Sequence, residues 1–200
     1  FQKPFDVCAF MIYSFDLMVF RYLNSWAGIS PFFDWAIRFR AVYLLWAMIA
    51  AALLFVLVPL IPKYHRWQKQ NMRMVMLVLF SALVARFAVT ELIRLAYPRP
   101  RPFEVLTDVT QLVPHAGGSA FPSGHAALAF AIATAVSFYY PKISILFFLA
   151  ALSIGIGRVA AGVHWPSDIV GGAAVGIATA FAIQFFLKVK IFGERRSGEV

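Results

Sequence analysis

Uncharged, mainly apolar residues run without a break from position 41 to 61, and again from 169 to 187, where Gln184 is the strongest interruption. About 20 such residues in a helix span the roughly 30 Å of hydrocarbon in a bilayer, so each run predicts a membrane-crossing helix. Shorter breaks divide the remaining apolar stretches into helices over about 74–97, 122–140 and 143–163. A further helix is expected over about 5–27. It carries Asp6, Asp16 and Arg21, with most of its polar residues on one side of the helical wheel, so it either crosses the bilayer or lies in its interface. Ser30-Pro31 opens a short element ending near Arg40. Helices joined by short links imply an antiparallel bundle. The expectation is an all-α polytopic membrane protein: a six-helix transmembrane bundle forming one domain over 1–200, with its active site at one membrane face.

The longest link, about 98–121, contains Pro98-Arg99-Pro100-Arg101-Pro102 and then Gly117-Gly118. Proline removes backbone donors and fixes φ, so the preceding helix cannot continue through it. Long ordered loops usually carry function.

Composition agrees with the pattern. Apolar residues make up 62% of the 200 and charged ones 14%, against roughly 45–50% and about 25% in soluble domains. The net charge of +9 does not indicate nucleic acid, because of where the charges fall. Lys63, Arg66, Lys69 and Arg73 crowd one link, and Lys188, Lys190, Arg195 and Arg196 follow the last span. With Lys3 and Lys142 they place ten basic residues on one side of the bundle. The other side holds Arg38, Arg40, Arg94, Arg99, Arg101 and Arg158. The positive-inside tendency then puts the long loop outside the cytoplasm, with both termini inside. Cys8 is the single cysteine, so no intrachain disulfide can form. The first residues lack a basic run and a small-residue cleavage site, and no cleavable signal is expected.

Polar residues concentrate on the loop side in three groups. Arg94 and Arg101 offer planar guanidinium forks that match phosphate oxygens. Pro122-Ser123-Gly124-His125 opens a helix, with Pro122 suited to its first position. Free N–H groups at such a helix start favour an anion; Gly124 permits close approach, Ser123 adds a hydroxyl, and His125 sits beside them. Arg158, His164 and Asp168 form the third group. Asp168, four residues after His164, can hold Nδ1–H and leave Nε2 as a nucleophile. Arg158 is costly to bury without an anion. The structural alternative is an Arg158–Asp168 ion pair with His164 packed as a bystander. Arg38 and Arg40 read best as contacts to lipid headgroups, and Arg99 as either such a contact or a site residue. Arg86 and Glu91 share the face of Arg94, roughly 12 Å and 5 Å below it, and are expected to pair inside the bundle. His65 and His115 fall in loops and carry no assigned role. No cluster has the spacing of a metal site.

The order Arg94-x6-Arg101-Pro102, Pro122-Ser123-Gly124-His125, Arg158-x5-His164-x3-Asp168 resembles the three-part signature of the type 2 phosphatidic acid phosphatase superfamily. The resemblance covers 94–168 directly and the six-span plan by extension. It implies that His164 forms a phosphohistidine, that Asp168 orients it, and that His125 protonates the leaving oxygen and then activates water. It also implies that Arg94, Arg101, Arg158, Ser123 and the Gly124 N–H hold the phosphate, with no metal and no cofactor. Two positions depart from the pattern: Arg94 stands where the family usually has lysine, and Gly157 where serine usually precedes the arginine. The stretch 20–43 also resembles the start of the undecaprenyl-diphosphate phosphatase subgroup.

These features lead to a lipid phosphate or diphosphate phosphatase in the inner (plasma) membrane, with membrane lipid as surroundings and no nucleic-acid partner. Undecaprenyl diphosphate is the favoured substrate; phosphatidylglycerophosphate, phosphatidate and lipid A phosphatases share the chemistry. A polytopic transporter or lipid-phosphate binder without turnover is the alternative of another class.

Overall fold

The structure, a computed structural model, describes residues 7–197. Seven helices follow one another: α1 Val7–Asn24, α2 Pro31–Leu54, α3 Lys63–Ala96, α4 Pro102–Val105, α5 Gly124–Ser137, α6 Pro141–Ala160 and α7 Pro166–Ser197. No strand occurs among the described residues. Positions 5 and 6 of the expected first helix lie outside the described residues.

Local chemistry explains where the boundaries differ from those expected. The helix foreseen over 41–61 already starts at Pro31, where Ser30 Oγ accepts the Phe33 N–H at 3.4 Å. A π-turn over Phe39–Tyr43 then carries it past Arg40 instead of ending it there. Pro59 and Pro62 supply no N–H, so the chain leaves α2 at Leu54 through 3₁₀ turns. Lys69 and Arg73, expected in a link, lie within α3. A second π-turn, Val84–Val89, interrupts α3 where Thr90 Oγ1 donates to Ala85 O at 2.7 Å; such bulges tend to mark functional segments. Pro122 stands outside α5: Ser123 is its cap, and Gly124 its first residue.

Four helical segments are long and apolar enough to cross a membrane: Pro31–Leu54, Lys63–Ala96, Pro141–Ala160 and Pro166–Lys188. Their outer faces expose large apolar side chains such as Phe87, Leu95, Leu146 and Phe186, which only a lipid environment accommodates. α5 is apolar but shorter, at 14 residues. Its alanines at 126, 127, 129, 131, 133 and 135 are all buried.

Small residues bring α5 and α7 into backbone contact. A Cβ on Gly172 would fall 2.4 Å from Ser123 O, and one on Gly176 would fall 2.2 Å from Ala127 O. This is the small-xxx-small packing of membrane helices, in which missing side chains let backbones approach. The Ser123 N–H donates to Asp168 O at 2.9 Å, so the N-termini of α5 and α7 are tied together.

α1 is not among the candidate spans; Asp16 and Asn24 on it face protein, while Arg21 is exposed beside Asp108. Asp16 is fully buried. Asn24 Nδ2 donates to Thr110 O and to Ala160 O, both at 2.9 Å, while its Oδ1 accepts the Thr110 N–H. These bonds also pin the loop after α4. The loop is fastened further by Leu112 N–H to Ala161 O and by Ala120 N–H to Arg99 O. The end of α3, the start of α5 and the α6–α7 turn therefore share one end of the bundle, roofed by an ordered loop.

Candidate active site

His164 sits in the turn between α6 and α7, and its side chain is 1% exposed. Gly162, with φ +82°, allows the sharp exit from α6, and Pro166 starts α7. Nδ1 of His164 lies 3.3 Å from Asp168 Oδ2, which also accepts the Trp165 N–H at 2.8 Å. Nε2 faces Arg101 Nη1 at 3.3 Å. A guanidinium only donates, so Nε2 is the lone-pair nitrogen and Nδ1 carries the proton toward the carboxylate. Burial and the charges of Arg158 and Arg101 push the His164 pKa well below its ordinary 6.5, which keeps the imidazole neutral. A neutral, buried, oriented imidazole can act as a nucleophile.

The guanidinium groups around it are incompletely satisfied. Arg101 reaches Val163 O at 2.8 Å and Ser119 O at 3.2 Å, yet its Nε has no partner. Burial first, then Arg94, pushes its pKa down to about 10, so it still carries its charge at neutral pH. Arg158, 2% exposed, makes a single long contact of 3.5 Å to Ala41 O, and its Nε and Nη2 are unpartnered. The ion pair between Arg158 and Asp168 considered from the sequence does not form; Asp168 pairs with Arg99 and His164 instead. Buried donors without acceptors are costly, and Arg101 Nε and Arg158 Nε and Nη2 remain able to donate to an anion.

Arg94 donates to Pro122 O from Nε and Nη2, at 3.3 and 3.1 Å, and to Glu91 Oε1 at 3.1 Å. Glu91 also pairs with Arg86, as the shared helix face led one to expect. Arg94 and Arg101 line a cleft of about 380 Å³ together with Glu91, His115 and Ser119.

At the start of α5, the Ser123 Oγ accepts the Ala126 N–H at 3.5 Å, leaving its own O–H to donate. Ser123 and Gly124 are buried and His125 is half-buried. Gly124 has a packing reason beyond anion approach: a Cβ there would lie 2.5 Å from Arg86 Nε. Gly157 is explained similarly. A Cβ would stand 2.7 Å from Arg40 Cβ and 2.9 Å from Ala41 N, so the contact of α6 with α2 excludes the serine usual at that position.

The structure adds four residues that the sequence reading left out or undecided. Arg99 does not reach toward lipid headgroups; its Nη1 donates to Asp168 Oδ1 at 2.7 Å and its Nη2 to Asp16 Oδ2 at 2.6 Å. Ser167 donates its N–H to Asp16 Oδ1 at 2.8 Å and its hydroxyl to Oδ2. His115 brings its ring within 6.4 Å of His164, centroid to centroid. Arg99 stands two residues before Arg101, a signal that it belongs at the site. Asp16 and His115 are remote in sequence and offered none. Arg38 points to the loop, donating to Leu112 O at 3.2 Å. Among the described residues no group of three or more His, Cys, Asp and Glu side chains could hold a metal ion.

The family model described as the PAP2 superfamily matches residues 74–190. The bacitracin transport permease protein BcrC of Bacillus licheniformis is 25% identical over 84% of this chain and 78% of its own length. Undecaprenyl-diphosphatase BcrC of Bacillus subtilis is 37% identical over 52% of this chain and 54% of its own, so the match spans about half of that relative. The crystal structure of Aquifex aeolicus LpxE is similar in fold, with a TM-score of 0.60 at 29% identity, covering 83% of this chain and 92% of that one. Because the family match runs through more than half of the chain and takes in all three groups of site residues, this protein belongs to the PAP2 superfamily.

Proposed function

We propose that this membrane phosphatase removes phosphate from a lipid diphosphate or monophosphate through a phosphohistidine on His164. The observation that carries the reading is the buried His164–Asp168 pair, whose Nε2 faces the Arg101 guanidinium, with donors of Arg101 and Arg158 left without acceptors. The Nε2 lone pair attacks phosphorus, the bond from phosphorus to the leaving oxygen breaks, and His125 gives that oxygen a proton. Water then attacks the phosphohistidine, passing its proton to His125 as the P–N bond breaks and inorganic phosphate leaves. Arg94, Arg101, Arg158, Ser123 and the Gly124 N–H hold the phosphoryl oxygens as charge moves onto them. Positioned donors of this kind supply most of the catalysis in phosphoryl transfer.

The six-crossing plan counts α1 and the shorter α5 with the four long apolar segments, making one domain of the chain. The site then faces the extracytoplasmic side of the inner membrane, opposite the basic residues around α3's start and α7's end. The substrate we favour is undecaprenyl diphosphate, the lipid for which the Bacillus subtilis relative is named. Arg99 contributes no charge to that argument, being held by two carboxylates. Arg94, Arg101 and Arg158 remain, and the cleft beside Arg94 and Arg101 gives a second phosphate room.

The test is phosphate release by purified protein in detergent from farnesyl or undecaprenyl diphosphate, phosphatidylglycerophosphate and phosphatidate, with His164→Ala alongside. Wild-type turnover with a dead variant is expected, and higher kcat/KM on the diphosphates. Near-wild-type activity in His164→Ala overturns the nucleophile. A tenfold preference for either phospholipid overturns the substrate.

A further inference from the structure

Asp168 is the only carboxylate touching His164 among the described side chains, and it does not act alone. One of its oxygens serves the Trp165 N–H and His164; the other accepts from Arg99 Nη1. Arg99 in turn bridges to Asp16 on α1, and both carboxylates have no exposed side-chain surface. Ser167, the second residue of α7, donates to Asp16 through its N–H and hydroxyl and accepts from Arg99 at 2.6 Å. The guanidinium also lies 5.5 Å over the Trp165 ring. Every polar atom at the tip of Asp16 is thus spent on the segment that carries His164 and Asp168.

Charge explains why two carboxylates are needed. When Nε2 bonds to phosphorus, the imidazole keeps its Nδ1–H and becomes cationic. A carboxylate paired one-to-one with an arginine is a poor partner for that cation, because the arginine has already offset its charge. With Asp16 sharing Arg99, the three groups keep one net negative charge beside the ring, and the fork geometry of Arg99 fixes the orientation of Asp168.

Resting on the reading of His164 as nucleophile, we propose that Asp16 and Arg99 are positioning residues of the reaction, through which α1 sets the Asp168 carboxylate against His164. They touch no reacting atom. Their loss slows formation of the phosphohistidine and leaves substrate binding intact. Carboxylates and other groups that orient a metal-bound histidine are worth on the order of 10–100-fold when removed, and a comparable loss is expected where the oriented histidine is a nucleophile.

The experiment uses the full chain in detergent with farnesyl diphosphate, measuring kcat, KM, the single-turnover rate of phosphoenzyme formation and the melting temperature. Asp16→Asn keeps the shape and removes the charge; Arg99→Lys keeps the charge and removes the fork. Each is expected to lower kcat and the phosphoenzyme rate about 10–100-fold, with KM changed less than about twofold. Asp16→Glu should recover part of the loss. A merely structural tie between α1 and α7 would instead lower the melting temperature and leave the phosphoenzyme rate of the folded protein unchanged, which overturns the proposal. If Asp16→Asn does not fold, Arg99→Lys decides, and wild-type kcat there overturns it equally. Wild-type kinetics in these variants beside a dead His164→Ala defeat the positioning role alone. An active His164→Ala defeats the reading on which it rests.

Discussion

Replacing Arg158 by methionine should make the protein more stable and much less active. Arg158 is buried in α6 with one marginal contact to Ala41 O, and two of its guanidinium nitrogens have no partner. A buried donor left unsatisfied costs roughly 1–3 kcal/mol, while the long bond to Ala41 returns under about 1 kcal/mol. Methionine fills much of the same volume with no polar atom, so the cost of the unsatisfied donors goes with the guanidinium. A net gain on the order of 2 kcal/mol corresponds to a melting temperature roughly 4–8 °C higher for a chain of this size. Activity should fall about 10²–10³-fold, the usual loss when one positioned donor to a transition-state oxygen is removed. Adding orthovanadate narrows the difference: at 100 times its Kd it stabilises the wild type by about 2.7 kcal/mol, and the variant by less. Melting curves in detergent with and without vanadate, together with phosphate release, measure all three effects. A variant that is less stable than wild type, or that keeps kcat within a few-fold of it, refutes Arg158 as a cation held in reserve for substrate.

Three further outcomes follow from the geometry. His125→Ala should slow turnover severely on lipid substrates and much less on phosphate esters with good leaving groups, because its first role is to protonate the leaving oxygen; equal losses across leaving-group pKa would contradict that role. Gly157→Ser, which restores the serine usual in the family, should cost roughly 1–3 kcal/mol of stability through overpacking and lower the melting temperature and the activity with it, since its Cβ would stand 2.9 Å from the Ala41 backbone nitrogen; an unchanged melting temperature would show that α2 and α6 can part there without penalty. Because the folded pKa of His164 lies below its ordinary 6.5, its contribution to stability is whole above about pH 6.5 and is lost as pH falls toward the folded value. At pH 5.5 the wild type should therefore have lost about 1.4 kcal/mol more than His164→Gln, relative to pH 7.5, read from melting curves of the two proteins; parallel pH dependence would mean that His164 is not held neutral.

Much of this protein is determined by short-range regularities in its sequence. Charge-free apolar runs long enough to cross hydrocarbon can become little except membrane helices, because buried backbone groups must be bonded within the segment. The four-residue step from His164 to Asp168 becomes a contact because both lie about one helical turn where α7 begins. The three site groups fall at one end of the bundle by the alternation of helix directions alone. What the sequence could not decide is which distant groups complete the site. Arg158 had a nearer apparent partner in Asp168, yet Arg99 takes that carboxylate and Arg158 is left with free donors. Asp16 lies about 150 residues from Ser167 in the chain, and its bonds exist only because α1 packs against the α6–α7 turn. His115 reaches the ring of His164 because the loop after α4 is pinned to Asn24 and Ala161. Gly157 is required by the α2 backbone and Gly124 lies against the Arg86 side chain, neither of which is a neighbour in sequence. Periodicity and spacing act within a helix, whereas these contacts depend on how helices cross, and tertiary packing alone sets those crossings.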